Sequence, residues 1–158
     1  MEINSYERIW MSISVTTILV MLVLVTLAGF GFGVQMPGAA GAIDAGKVSQ
    51  TAPFDKPGLT ETGPGKYQVV MVAQAQPWKF TPTKIEVPAG AEVTFKVTSK
   101  DVTHGLMVEN TNINVMIVPG QVTEFKVRFT KSGTYQFLCH EYCGVGHQTM
   151  AGQIIVAP

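Results

Sequence analysis

Cys139-His140-Glu141-Tyr142-Cys143-Gly144-Val145-Gly146-His147-Gln148-Thr149-Met150 gathers two thiols, imidazole and a thioether within twelve residues. Thiolate and thioether are soft donors that select copper, zinc or iron–sulfur, and imidazole suits copper and zinc. The mixture of Cys, His and Met therefore narrows the metal towards copper. A Cys, a His four positions on and a Met three further, between two strand-like runs, is how a single-copper site collects three ligands on one loop. His104 is the obvious fourth, because the remaining histidine, His140, lies inside the loop beside Cys139. A single-copper site needs no second cysteine. Cys139 stands four residues before Cys143, close enough on a tight loop for both sulfurs to face one centre and bridge two metals. That spacing describes a dinuclear copper centre.

Cys139-x-Glu141-x-Cys143-x-x-x-His147-x-x-Met150, with Asp101-Val102-Thr103-His104-Gly105 upstream, resembles the CuA site of subunit II of the haem-copper oxygen reductases, the cytochrome c oxidases. The resemblance covers the N-terminal apolar segment and the copper domain. It implies that Cys139 and Cys143 bridge two coppers and that His104 and His147 each ligate one. Met150 would be a weak ligand to one copper and the backbone carbonyl of Glu141 a weak ligand to the other. The implied role is electron transfer: single electrons arrive from cytochrome c and pass to haem in subunit I, where dioxygen is reduced to water with proton translocation. The sequence has three histidines, too few to supply that last chemistry as well, so the chain is expected to work in a complex; the resemblance implies subunit I and a small helical subunit as its partners.

The composition agrees with such a role. With 158 residues there is room for one domain and an accessory segment, and a net charge of zero gives no electrostatic case for nucleic acid. From Lys66 onward eight Lys or Arg face six Asp or Glu, a balance too even to name a partner's charge. Two cysteines alone in an exported domain would read as a disulfide; the neighbouring His and Met shift the reading to metal.

No charged residue occurs from Ile9 to Ile43, and Ile9 to Met36 is apolar enough for one helix. At about 1.5 Å per residue it would run roughly 42 Å, more than the ~30 Å hydrocarbon core, so a single tilted span in contact with lipid is expected. A cleaved signal peptide is the competing reading, with Ala40-Gly41-Ala42 as a cleavage-like site, but the apolar run is longer than the roughly 7 to 15 residues of such a segment. Gly29 and Gly33, four apart, offer either a close approach for another helix or a loosening helix end. Arg8 and Lys47 hardly bias the topology. The resemblance implies a plasma-membrane protein with its copper domain on the periplasmic, extracytoplasmic side. A single helix before that domain resembles the short subunit II of the ba-type, B-family oxidases.

Residues 37–65 are rich in Gly, Ala, Pro and Thr without a period of 2 or 3.6 and predict a linker lying partly along a partner surface. From residue 66 to 158 the pattern is one of strands: Tyr67–Ala73, Ile85–Val87, Glu92–Thr98, Gly105–Glu109, Ile113–Val118, a run around Phe125, Thr134–Leu138 and Gln153–Ala157. In Glu92–Thr98, Val93, Phe95 and Val97 alternate with polar residues. Short strands with turn signals at this spacing predict an antiparallel sandwich. The full expectation is an all-β cupredoxin-like Greek-key sandwich preceded by a single transmembrane α-helix, with segments 1–36, 37–65 and 66–158.

Other residues carry secondary expectations. Trp78, in Gln76-Pro77-Trp78-Lys79-Phe80, matches the region where related subunits place aromatics near the surface that receives electrons; core or rim packing is its plain alternative. The Glu141 carboxylate binds magnesium in some relatives, which makes magnesium a secondary cofactor expectation. His140 is expected at the surface, and Asp101 is expected to order the His104 loop through hydrogen bonds. Rival readings are a membrane-anchored mononuclear cupredoxin shuttle, a copper chaperone or sensor, and the CuA subunits of nitrous oxide or nitric oxide reductases.

Overall fold

The structure, a computed structural model, describes residues 4–32 and 36–158. Helix α1 spans Ser5–Phe32. It starts four residues before the apolar run because Asn4 and Glu7 close its first turn. The Asn4 side chain accepts from the Tyr6 N–H at 3.0 Å and the Glu7 carboxylate from the Asn4 N–H at 3.1 Å, a reciprocal cap. Thr26 donates back to the Leu22 carbonyl at 2.8 Å, which spares the helix an unsatisfied hydroxyl. The most apolar window of α1 is 0% buried, as a helix facing lipid requires. Gly33 and the expected helix end beyond it fall on or past residues outside the described set.

The helix and the rest of the chain are two separate compact units. The second is a sandwich of two five-stranded sheets. Its strands are β1 (Gly58–Gly63), β2 (Lys66–Gln74), β3 (Lys79–Thr81), β4 (Lys84–Pro88), β5 (Glu92–Ser99), β6 (His104–Val108), β7 (Asn114–Ile117), β8 (Thr123–Arg128), β9 (Gly133–Leu138) and β10 (Ala151–Ala157). One sheet has the order β1-β2-β5-β8 with β3 also on β2, and the other has the order β4-β10-β9-β6-β7. Two pairings are parallel, β2 with β5 and β4 with β10, where an all-antiparallel sandwich is expected from the strand spacing. The chain leaves the first sheet after β3, adds β4 to the second and returns as β5, so β2 and β5 come to run the same way. Local alternation does not register such a crossing.

Between the sheets lies the main core. Val69, Met71 and Ala73 of β2, Val93, Phe95 and Val97 of β5, Leu106 and Val108 of β6, and Phe137 and Ile154 opposite them are all buried. Phe95 and Phe125 are cross-strand partners whose rings stack with centroids 5.0 Å apart. The alternation seen in the β5 sequence is thus the inward face of the sandwich.

The range 37–65, which reads as a linker, is largely built into the domain. It contains a 3-10 turn at Ala45–Gln50, capped by the Asp44 side chain, and strand β1 on the edge of the first sheet. Val48 and Phe54 from this range bury themselves against Val70, Val72 and Val122, with Ile43 alongside. Strand β2 is consequently covered on both faces. This explains why its sequence is continuously apolar from Val69 to Ala73 instead of alternating. Compositional reading misses the layer because two apolar anchors spaced across Gly and Pro have no period.

Candidate metal centre

Strand pairing brings three loops to one end of the sandwich. β9 runs antiparallel to β6, with Leu138 opposite Met107, so the chain leaving β9 heads towards His104 at the start of β6. β10 starts opposite Leu138, which closes residues 139–150 into a loop at that same end. β2 and β5 are parallel and finish together at Ala73 and Ser99, so the β2–β3 loop with Trp78 and the β5–β6 loop with Asp101 join it. The ligand loop is fastened by the Cys139 N–H to the Met150 carbonyl at 3.0 Å and tightened by successive bonds from His147, Thr149 and Met150 to Gly144, Gly146 and His147.

The candidate ligands converge. Cys139 Sγ lies 3.8 Å from Cys143 Sγ, and both cysteines are free thiols. His104 Nδ1 stands 3.9 Å from Cys139 Sγ, and His147 Nδ1 stands 3.6 Å from Cys143 Sγ. Met150 Sδ is 3.8 Å from Cys143 Sγ, and the Glu141 carbonyl oxygen is 3.3 Å from Cys139 Sγ. Each sulfur therefore has one imidazole and one weak donor beside it. His104, Cys139 and Cys143 have their ligand atoms within 4.8 Å of one another and are all buried. This donor set, rich in sulfur and screened from water, fits copper.

Electrostatics prepares the sulfurs unequally. Burial opposes ionisation of Cys139, but hydrogen bonds from His104 and from the Gly105 backbone outweigh it and bring the thiol from 9.0 to about 6. Burial and then the adjacent Cys139 charge push Cys143 up from 9.0 to about 11. His104 has burial against its charged form, yet Cys139 on one side and Asp101 on the other hold its pKa above the ordinary 6.5.

Asp101 does order the loop, and it also reaches His104 itself: its Oδ1 accepts from His104 Nε2 at 3.0 Å. Its sequence signal is the three-residue offset from His104. Trp78 is half-buried against the ligand loop. Its Nε1–H donates to the Cys143 carbonyl at 3.0 Å, and its ring fills the space a Cβ at Gly146 would need. His140 is not a free surface side chain. Its ring covers Gly105, where a Cβ would come within 2.5 Å, and its Nε2 lies 3.3 Å from the Val115 carbonyl. A neighbour 35 residues away in sequence gives no local sign of that contact. The Glu141 carboxylate is 44% exposed and lies 3.7 Å from His140 Nδ1.

Residues 56–156 match the cupredoxin-like domain family. The chain is 41% identical to cytochrome c oxidase subunit 2 of Thermus thermophilus over 98% of its own length and 93% of that protein's. The chain belongs to the cytochrome c oxidase subunit 2 family. A second subunit 2 sequence from Thermus thermophilus is 44% identical over 83% of this chain and 97% of the relative. A chain of a heme-copper terminal oxidase dimer solved by cryo-electron microscopy superposes with a TM-score of 0.74 at 33% identity, covering 96% of this chain and 99% of the other. As a subunit 2 family member the chain is part of an oxidoreductase, works with partner subunits such as subunit I, has in α1 a candidate membrane span, and carries a cupredoxin domain whose implied metal is copper.

Proposed function

We propose that this subunit holds a dinuclear CuA centre and is the point at which a haem-copper oxidase receives electrons. It takes them one at a time from a cytochrome c-type donor and passes them to haem in subunit I, which reduces dioxygen to water with proton translocation. The carrying observation is the pairing of two free, buried thiols 3.8 Å apart, each with its own imidazole. A mononuclear cupredoxin shuttle would leave Cys139 idle, whereas here Cys139 shares the buried cluster with His104 and Cys143. When bound, the two coppers would supply a one-electron couple delocalised across the bridging thiolates. The chain supplies the rest. Cys139, Cys143, His104 and His147 would hold the coppers, with Met150 and the Glu141 carbonyl as weaker donors at the two flanks. The rigid sandwich ends hold these groups still, so little has to move when an electron arrives.

The edge of the site open to solvent carries His147, Tyr142 and Val145. Tyr142 and Val145 are 79% and 81% exposed, and the Tyr142 ring lies 5.9 Å from that of His147. Trp78 borders this edge through its contacts with Cys143 and Gly146. We assign electron arrival here, with Trp78 on the donor-facing side. The domain would face the periplasm, where such donors reside, while α1 contacts plasma-membrane lipid and the partner helices, a small helical subunit among them. Magnesium at Glu141 is the weaker proposal, because that carboxylate stands beside His140 and the cation would need further oxygen ligands.

Copper content and electron paramagnetic resonance of the copper-loaded full-length protein test the centre. Two coppers per chain with one electron coupled to both nuclei are expected, and one copper with single-nucleus coupling would overturn the assignment in favour of a shuttle. Cys139→Ser should abolish the shared-electron spectrum; its retention would refute the bridge.

A further inference from the structure

Asp101 is the carboxylate that hydrogen-bonds His104, the one imidazole of the buried cluster, and both of its oxygens are engaged. Oδ1 accepts from His104 Nε2 at 3.0 Å and from the Val102 N–H at 2.7 Å; Oδ2 accepts from the Ala75 N–H at 2.6 Å. Ser99 Oγ lies 3.4 Å from Oδ1 and accepts from the Asp101 N–H at 3.2 Å. Ala75 belongs to the loop that carries Trp78, and Trp78 in turn donates to the Cys143 carbonyl. The bonds form a closed ring: His104 to Asp101, Asp101 to the Ala75 loop, Trp78 to Cys143, Cys143 to Cys139, and Cys139 back to His104.

We propose that Asp101 is a positioning residue that fixes His104 as the Nε2–H tautomer with Nδ1 turned to the sulfurs, and at the same time ties the Trp78 loop to the centre. The inference rests on the copper reading above. A carboxylate only accepts, so the proton of the shared bond sits on Nε2 and the lone pair is left at Nδ1, the atom facing Cys139. A carboxylate behind a ligating imidazole also raises its donor strength and so favours the more highly charged, oxidised metal. The second oxygen extends the effect to geometry. Because Oδ2 holds Ala75 from the same side chain, the orientation of one ligand and the placement of the nearby aromatic cannot relax independently.

Asp101→Asn is the informative substitution, since it is isosteric and can supply only one of the two accepting atoms. If its oxygen stays on His104, its amide faces the Ala75 N–H, donor against donor; if it flips, His104 loses its acceptor. In full-length protein loaded with copper, Asp101→Asn should lower copper affinity about 10- to 100-fold and raise the reduction potential, with an altered hyperfine pattern. Unchanged affinity and potential in Asp101→Asn would overturn the proposal. A further readout needs no variant. In the reduced, diamagnetic wild-type protein His104 should show a slowly exchanging proton on Nε2, and a proton on Nδ1 instead would overturn the tautomer assignment. Copper stoichiometry of the wild type, measured in the same samples, separates failure of this inference from failure of the dinuclear reading.

Discussion

Met150 is 1% exposed with its sulfur 3.8 Å from Cys143, and under the proposed reading its thioether would tune the metal as a weak ligand. Met150→Leu conserves volume, so the fold should lose less than about 1.5 kcal/mol and both coppers should remain while the potential shifts; loss of all metal would contradict the role. Proton competition is equally local. Cys139 is lowered to about 6, so its stabilisation of the metal-free fold is complete above 9.0 and is lost as pH falls through about 6. Cys143 is raised to about 11, so its contribution is present below 9.0 and is lost as pH rises through about 11. Copper held as proposed would need both thiolates. Uptake should therefore release protons, tighten as pH rises, and depend more steeply on pH below about 6, where Cys139 must also be deprotonated. Proton release measured by calorimetry in two buffers checks this. Trp78→Phe removes a bond to the Cys143 carbonyl and should cost about 0.5–1.5 kcal/mol in denaturant unfolding. Trp78→Ala should also slow donor oxidation in the intact oxidase; an unchanged rate would leave Trp78 a packing residue.

At the scale of elements, β2 is the strand whose two faces do different work. Val69, Met71 and Ala73 close the main core, and Val70 and Val72 receive the outer layer of Val48 and Phe54. Phe54→Ala should destabilise the domain by about 3–5 kcal/mol, a loss out of proportion for a residue that sequence composition places in a linker. Chemical denaturation of the metal-free protein gives the number, and a loss under 1 kcal/mol, on the order of a surface change, would mean the outer layer is decorative. The same element explains why three loops meet at the metal end. Its parallel pairing with β5 delivers Trp78 and Asp101 to the end that the β9–β10 loop already occupies.

For the whole molecule, the division falls between α1 and everything after it rather than at the end of the Gly- and Pro-rich stretch. A soluble fragment starting at residue 36 should fold and take up copper as the full chain does. One starting at Gly65 lacks β1 and the outer layer over β2, and should show a lower unfolding midpoint and weaker copper retention. Parallel thermal scans of the two fragments decide the matter, equal midpoints being the contrary result.

The sequence by itself determined the long apolar helix, the inward face of β5, and the candidate donors of the 139–150 loop. Each depends on residues close in sequence: a long uncharged run, a period of two, or chemically unusual side chains a few positions apart. His104 too is singled out by the sequence as a candidate, since there are only three histidines, and the fold places it beside Cys139 and Cys143. Only the tertiary structure decided that residues 37–65 form a second apolar layer, that two strand pairs are parallel, that His140 packs over Gly105, and that Asp101 joins His104 to the Trp78 loop. Those contacts join residues from separate elements or loops. Their free energy comes from burial and directed bonds that exist only after the chain has crossed between sheets, so no local pattern records them.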